Sequence, residues 1–543
     1  MTFEEKLANQ EYDRIWQEYC GFLDLDMEAY MKIQRRLLEE QMNLWCASPL
    51  GKQILQGKKP STIEEFRSMV PLTTYEDYAD VLLLKKEEML PDKPIIWIQT
   101  TWEGGKHPIK VAPYTRGMLQ TFRNNILTCL MMATSSGRGN FDVGVGDTFL
   151  YGLAPLPYVT GLIPLGLSAE FHMEFLPPVE EAVNMSFSER NKKGFKLGLK
   201  KGIDFFFGMG SVAYYVSMSV ASLSEGGKKG GSLKKLFSMQ PAMALRYLKA
   251  KKRCRQENRG LMPKDLFKLK GFLCAGTDNR CYKDDLEQLW GIRPVEVFAG
   301  TEPSFVGTET WNRNGLYFFP DAGFYEFIPE NEMYKSLDDP SYEPGTLCMD
   351  QVLPGEVYEI VLTVFKGGAF ARYRVGDMYR CLGLSSREDG TRIPRFEYID
   401  RVPDIIDIAG FTRISENSVR NVIELSGIDV ENWVALKEFT ADKGRPYLHM
   451  YVELSTDSVV NRAVSRELIK EHLTIYFKYV DQDYHDLKRI LGMDPLEVTI
   501  VRCGTFAAYE KQTGKKLRHI NPSIHDVQEM MRMQEMTDRQ RRF

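Results

Sequence analysis

Two short stretches of this chain hold carboxylates in settings suited to a bound nucleotide. Phe370-Ala-Arg-Tyr-Arg-Val-Gly-Asp-Met378 reads as a strand that delivers Asp377 to the mouth of a site. Phe298-Ala-Gly-Thr-Glu302 reads as a turn that presents a hydroxyl, Thr301, beside a second carboxylate, Glu302. One carboxylate can grip a ribose diol while the other holds magnesium near the phosphates. Each charge-assisted hydrogen bond to a ribose hydroxyl contributes about 1.5–3 kcal/mol once water is excluded. Read alone, each stretch also fits a plain turn or cap, because Asp favours such positions.

A third stretch, Thr100-Thr-Trp-Glu-Gly-Gly-Lys-His-Pro-Ile-Lys110, follows the apolar run Ile95-Ile-Trp-Ile98. Its hydroxyls (Thr100, Thr101), glycines and lysines suit a polyphosphate cradle, with Lys110 neutralising charge as it develops. The spacing is not that of a Walker loop. Gly514-Lys515 fails the same test, since Tyr509 stands where the first glycine belongs and Lys516 replaces Ser/Thr. Other chemistries lack their residues. No HExxH and no GxSxG occur. Asp481-Gln-Asp-Tyr-His-Asp486 lacks the glycine and closing glutamate of a calcium loop.

The elements that must position these residues follow from periodicity. The chain has 543 residues, 43% hydrophobic and 27% charged, with net charge −4. That length exceeds one core and predicts one large domain plus a smaller one. Residues 1–56 carry apolar groups at helical spacing. From 115 to 300, strands and helices alternate, which predicts crossovers and a mainly parallel sheet. After 300, Gly323–Ile328 and Gly355–Val364 alternate as half-buried strands do. The boundary falls near Asp400-Arg401, giving domains at 1–400 and 401–543.

Nine scattered cysteines without a CxxC pair fit reduced thiols in a cytoplasm. No basic start or apolar leader opens the sequence. The most apolar run, Phe149–Leu167, is broken by prolines and glycines, so no integral membrane span is expected. Charge is uneven: residues 190–270 hold 20 Lys/Arg and 4 Asp/Glu, or +16, leaving −20 elsewhere. That insert is either a solvated loop region or a landing patch for an anionic partner such as a carrier domain, a phosphorylated coenzyme or a lipid surface. It lacks the aromatic interleaving of a nucleic-acid groove, so nucleic acid is not expected.

With these residues in view, the chain resembles the Gretchen Hagen (auxin-responsive) acyl-acid–amido synthetases, within the acyl-adenylating superfamily. Val70-Pro-Leu-Thr-Thr-Tyr-Glu-Asp-Tyr78 is similar to the family's opening signature. Phe298–Glu302 and Tyr373–Asp377 are similar to its nucleotide motifs. Phe396-Glu-Tyr-Ile-Asp-Arg401 with Ile406-Asp-Ile-Ala-Gly410 resembles its hinge.

The resemblance implies an α/β fold: a large N-terminal domain with mainly parallel sheets, helices and a β-rich subdomain, and a smaller mobile C-terminal α/β domain. It implies ATP and Mg2+ as cofactors, a small carboxylic acid as substrate, and an amine or thiol acceptor. By the same resemblance, Asp377 binds the ribose and Thr301 meets the α-phosphate. Glu302 supports the metal, Phe298, Ala299 and Gly300 border the adenine, and Arg401 sits at the hinge near the ribose. Lys515 and Lys516 stand where the family keeps a lysine that promotes adenylation. Two features depart from the pattern: Trp102-Glu103 interrupts the phosphate loop, and Gly514–Pro522 replaces the usual C-terminal lysine motif. The expected reaction is ATP-dependent adenylation of an acid, then acyl transfer to an amine. The alternatives are a thioester ligase serving coenzyme A or a carrier, and a nucleotide-binding scaffold without turnover.

Overall fold

A computed structural model describes residues 1–540 except 101–106, 108, 152, 226–238, 411, 456–458, 481–486 and 489–490. The chain divides into two compact units: residues up to 100 with 109–399, and residues from 400 on.

The first unit is built on one twelve-stranded sheet. Five strands open it, in spatial order Glu174–Leu176, Thr148–Tyr151, Phe205–Met209, Gly271–Ala275 and Val295–Gly300, all parallel. Each is joined by helical crossovers, as parallel pairing requires. Val295–Gly300 then turns back on Ser304–Glu309, and the pairing becomes antiparallel. The order continues through Leu316–Phe318, Arg395–Arg401, Tyr373–Gly383, Val357–Val364, Gly323–Pro329 and Leu347–Cys348. The parallel and β-rich sections are therefore joined in one sheet.

That sheet curls. Val295–Gly300 and Tyr373–Gly383 are four strand steps apart, about 19 Å in a flat sheet. Yet the rings of Phe298 and Tyr379 lie 5.1 Å apart. Phe318, stacked on Phe396 at 4.8 Å, fills the space inside the curl.

Helix Met27–Ala47 seats the segment that leads into the Tyr373 strand. Asp26 caps it by accepting from Ala29 N at 2.9 Å. Its buried face carries Gln41 and Trp45, which donate to the carbonyls of Gly368 and Ala369, each at 2.8 Å. The opening signature clamps the next residues. Thr73 N donates to Arg372 O, and Arg374 N donates to Thr73 O, each at 2.9 Å. Tyr78 OH accepts from Ala371 N at 3.0 Å.

Buried charge locks this clamp. Glu326, 1% exposed, accepts from Arg67 at 2.9 Å, from Arg372 at 3.1 Å and from Thr346 at 2.7 Å. Arg372 also donates to Val70 O at 2.7 Å. Burial opposes ionisation of Glu326, but the charges of Arg372 and then Arg67, with the Thr346 and Arg372 hydrogen bonds, outweigh it. Its carboxyl is held below the usual range.

A bulge aims Asp377. Glu359 faces Met378 and Val361 faces Arg374, so three residues, Val375-Gly376-Asp377, oppose Ile360 alone. Gly376 takes φ +79°, which an L side chain adopts at a cost. A tight turn aims Glu302: Gly300 pairs with Ser304, leaving Thr301-Glu302-Pro303 as a three-residue loop. Ser304 supplies the left-handed residue at φ +71°.

The second unit is α/β. Strands Val430–Phe439 and Pro446–Leu454 pair antiparallel, and Leu496–Val501 joins the latter in parallel. Helices Glu416–Ser426 and Val459–Val480 cover one face; Thr505–Thr513 and Ile524–Gln540 cover the other.

Two outcomes follow. Glu326→Gln leaves two guanidinium groups buried against a neutral amide and should cost about 3–5 kcal/mol in urea unfolding. The folded state holds Glu326 below its ordinary value, so its stabilisation is complete at neutral pH. It is lost as pH falls from about 5 toward 3, and the variant's melting temperature should fall less over that range. Gly376→Ala forces a side chain into the left-handed region and should cost about 1–2 kcal/mol, read as a lower Tm.

Candidate functional site

Three segments of the first unit meet around Glu302. The hairpin Ile96–Gln99 and Val111–Tyr114 brings Lys110 opposite Thr100, whose N donates to Lys110 O at 2.9 Å. Thr100, 5% exposed, accepts from Lys110 N through its hydroxyl at 3.0 Å. Its side chain thus holds Lys110 in place. The Lys110 ammonium lies 3.9 Å from Glu302 Oε1 and 5.7 Å from the centre of the Tyr75 ring.

From the curled side of the sheet, Tyr373 OH donates to the same Glu302 oxygen at 2.8 Å. Tyr114 OH donates to Thr301 O at 2.8 Å and fixes the turn from the other hairpin. Burial, and then the charge of Glu302, pushes the Tyr114 phenol far up, so it stays a donor. Glu302 Oε2 makes no bond among the described residues, and that oxygen suits a divalent cation. Gly300 permits the turn to close, since a Cβ there would come within 3.0 Å of the Pro303 ring.

The other sequence-predicted residues fall as follows. Asp377, buried, sits on the bulge four residues beyond Tyr373. Phe298 is buried, its ring packed on Tyr379 and Phe318 in the sheet's interior. Ala299 and Thr301 are half-buried. Arg401 ends its strand in the second unit, its N donating to Asp400 Oδ1 at 2.7 Å. Burial raises the Asp400 carboxyl against the pull of Lys437, 3.2 Å away. Lys515 and Lys516 are exposed in the loop after helix Thr505–Thr513. Thr101, Trp102, Glu103 and Lys106 lie outside the described residues.

Phe205, Phe206 and Phe207 are core. Their strand is internal to the sheet, and Phe206 stacks on Phe272 at 5.0 Å. Tyr373 and Tyr114 were not expected as supports. Tyr373 lay inside a recognised motif, but a hydroxyl donor there gives no spacing signal. Nearby, Lys283 bridges Glu296 at 2.7 Å and Glu309 at 2.8 Å beside a cavity of about 210 Å³.

Known proteins can be set against this geometry. Residues 316–401 match the GH3 family central domain, which begins at the inner strand Leu316–Phe318 and spans the Asp377 bulge. The jasmonoyl–L-amino acid synthetase JAR4 of Nicotiana attenuata is 29% identical over 34% of this chain and 30% of its own. The indole-3-acetic acid-amido synthetase GH3.10 of Arabidopsis thaliana is 25% identical over 36% and 33%. The chain thus aligns with about a third of the length of these curated relatives.

Among solved structures, AtGH3.15 acyl acid amido synthetase, in complex with 2,4-DB, matches with TM-score 0.50 at 15% identity. That match covers 95% of both chains. A 2-hydroxyisobutyryl-CoA ligase holding 2-HIB-AMP and CoA matches with TM-score 0.53 at 15% identity, over 88% of this chain and 86% of its own. Residues 316–401 are thus similar to the GH3 family central domain, and the chain shares the fold of these two solved enzymes.

Proposed function

We propose that this protein is an ATP-dependent ligase that adenylates a carboxylic acid and passes the acyl group to an amine, an amino acid in the first instance. One observation carries the reading: Lys110, Glu302 and the start of the Tyr373–Asp377 motif converge within hydrogen-bonding or ion-pair reach. Support comes from the central-domain match and from amido synthetases among the relatives.

In this reading, Asp377 accepts from the ribose hydroxyls, and the Thr301 hydroxyl meets the α-phosphate. Lys110 neutralises charge on the phosphates. Glu302 Oε2, with Tyr373 holding the other oxygen, would hold Mg2+, which supplies charge neutralisation when bound. A substrate carboxylate oxygen attacks the α-phosphorus, and the bond to the pyrophosphate breaks. An amine nitrogen then attacks the acyl carbon, AMP leaves, and the nitrogen's proton passes to solvent. No covalent enzyme intermediate is required, so catalysis rests on alignment and fixed charge. The second unit, with Arg401, Lys515 and Lys516, would act as the mobile part that serves the two half-reactions in turn. Among the described residues no helix is long and apolar enough to cross a membrane. We place the reaction in the cytoplasm, where nine cysteines without a CxxC pair would stay reduced.

A thioester product is the second reading, favoured by the fold shared with a CoA ligase. ATP–pyrophosphate exchange with a panel of carboxylic acids tests the first half-reaction. Product analysis with amino acids against coenzyme A tests the second. Asp377→Ala should lower exchange by about a hundredfold or more, through lost ribose hydrogen bonds, with little change in Tm. ATP binding without exchange for any acid would leave only a scaffold.

A further inference from the structure

We propose that the outer face of helix Pro241–Gln256 docks this protein on an anionic lipid surface. The helix is amphipathic in the usual way on one side. Met243, Ala250 and Cys254 are buried, one helical stripe facing the rest of the unit. The opposite side is unusual. Leu245 is 55% exposed and Leu248 is 48% exposed, one turn apart. On the same outward stripe, at helical spacing, stand Lys249, Lys252 and Arg255, all exposed. Among the described residues, these three cations form no ion pair. Their neighbours Arg253 and Arg259 are instead spent on buried Asp265, at 2.8 and 2.7 Å.

The helix packs against Phe187–Lys201, and Gln240 N donates to Lys200 O at 2.9 Å. That second helix carries Lys192, Lys196 and Lys200 at a spacing of four, again without ion pairs among the described residues. The region is thus predominantly positive on a chain whose residues outside 190–270 carry −20. Near an anionic surface the remainder is repelled and this face is attracted, which fixes an orientation.

A solvated insert explains the cations; the two leucines turned outward add an apolar strip among them. An anionic bilayer answers both features, with phosphates for the cations and an apolar layer at side-chain depth for the leucines. Charge alone or two leucines alone gives weak adhesion; the combination supplies two signals. This inference is independent of the reading of the nucleotide site.

The test is co-sedimentation of the full chain with vesicles of phosphatidylcholine alone and of phosphatidylcholine with phosphatidylserine. We expect binding to the mixed vesicles only, weakened by added salt. The triple variant K249E/K252E/R255E should bind them roughly a hundredfold more weakly. L245S/L248S should also weaken binding while retaining the salt dependence. All five positions are exposed, so far-ultraviolet circular dichroism and Tm should match the parent. Equal pelleting with both vesicle types, no pelleting with either, or a triple variant that binds like the parent would overturn the proposal. No pelleting together with capture by an acidic protein would assign the face to that partner instead.

Discussion

The buried carboxylate of Glu326 is the constraint on which the candidate site depends. It is shared by Arg67, from the N-terminal helical region, and Arg372, from the loop before the Asp377 strand. Two guanidinium groups out of water are stable only with such a partner, and the partner only with them. The cluster therefore fixes the distance between residues far apart in sequence. Through Arg372 it also anchors Val70, and with it the Thr73 bridge that edges Tyr373. Tyr373 then reaches Glu302, so the chain of contacts runs from a structural ion cluster to the proposed metal carboxylate.

Geometry at the sheet level does the remaining work. A flat sheet of twelve strands cannot bring the turn after Val295–Gly300 to the bulge in Tyr373–Gly383. The curl removes that separation, and the aromatic layer of Phe298, Phe318, Tyr379 and Phe396 fills its inside. The same layer explains why Phe298 is taken up in packing. A bulge and a left-handed turn residue then project Asp377 and Glu302 from otherwise regular strands. Both devices are local departures from ideal pairing, and such departures recur where a sheet must aim a side chain.

Much of this was legible in the residues. The alternation of strands and helices over 115–300 appears as the parallel section, opened by helix Arg116–Thr134. The period-two stretches Gly323–Ile328 and Gly355–Val364 are paired strands. The motif glycines announced turns. What the sequence hid was distance. Nothing local in Val70–Tyr78 says that it clamps Ala371–Arg374, because that contact spans about three hundred residues and rests on backbone groups. Nor does a run of phenylalanines say whether it lines a pocket or fills a sheet. Phe205–Phe207 is core because strands flank it on both sides.

The ion pairs of the first unit differ in a way that bears on function. Those that hold the scaffold are short: Arg374 to Glu359 at 2.6 Å, Lys283 to Glu296 at 2.7 Å, Arg67 to Glu326 at 2.9 Å. Lys110 and Glu302 stand at 3.9 Å, with the lysine side chain 21% exposed. Coulomb attraction falls as the inverse of distance, so this pair keeps about three-quarters of the attraction of a 2.9 Å pair. The weaker the pair with Glu302, the less of it is lost when the ammonium turns toward an incoming phosphate. Tyr373 meanwhile holds Glu302 with a neutral donor, which orients the carboxylate without cancelling its charge. The arrangement sets a cation and a carboxylate side by side, each positioned by its neighbours, as a polyphosphate with its counter-ion requires.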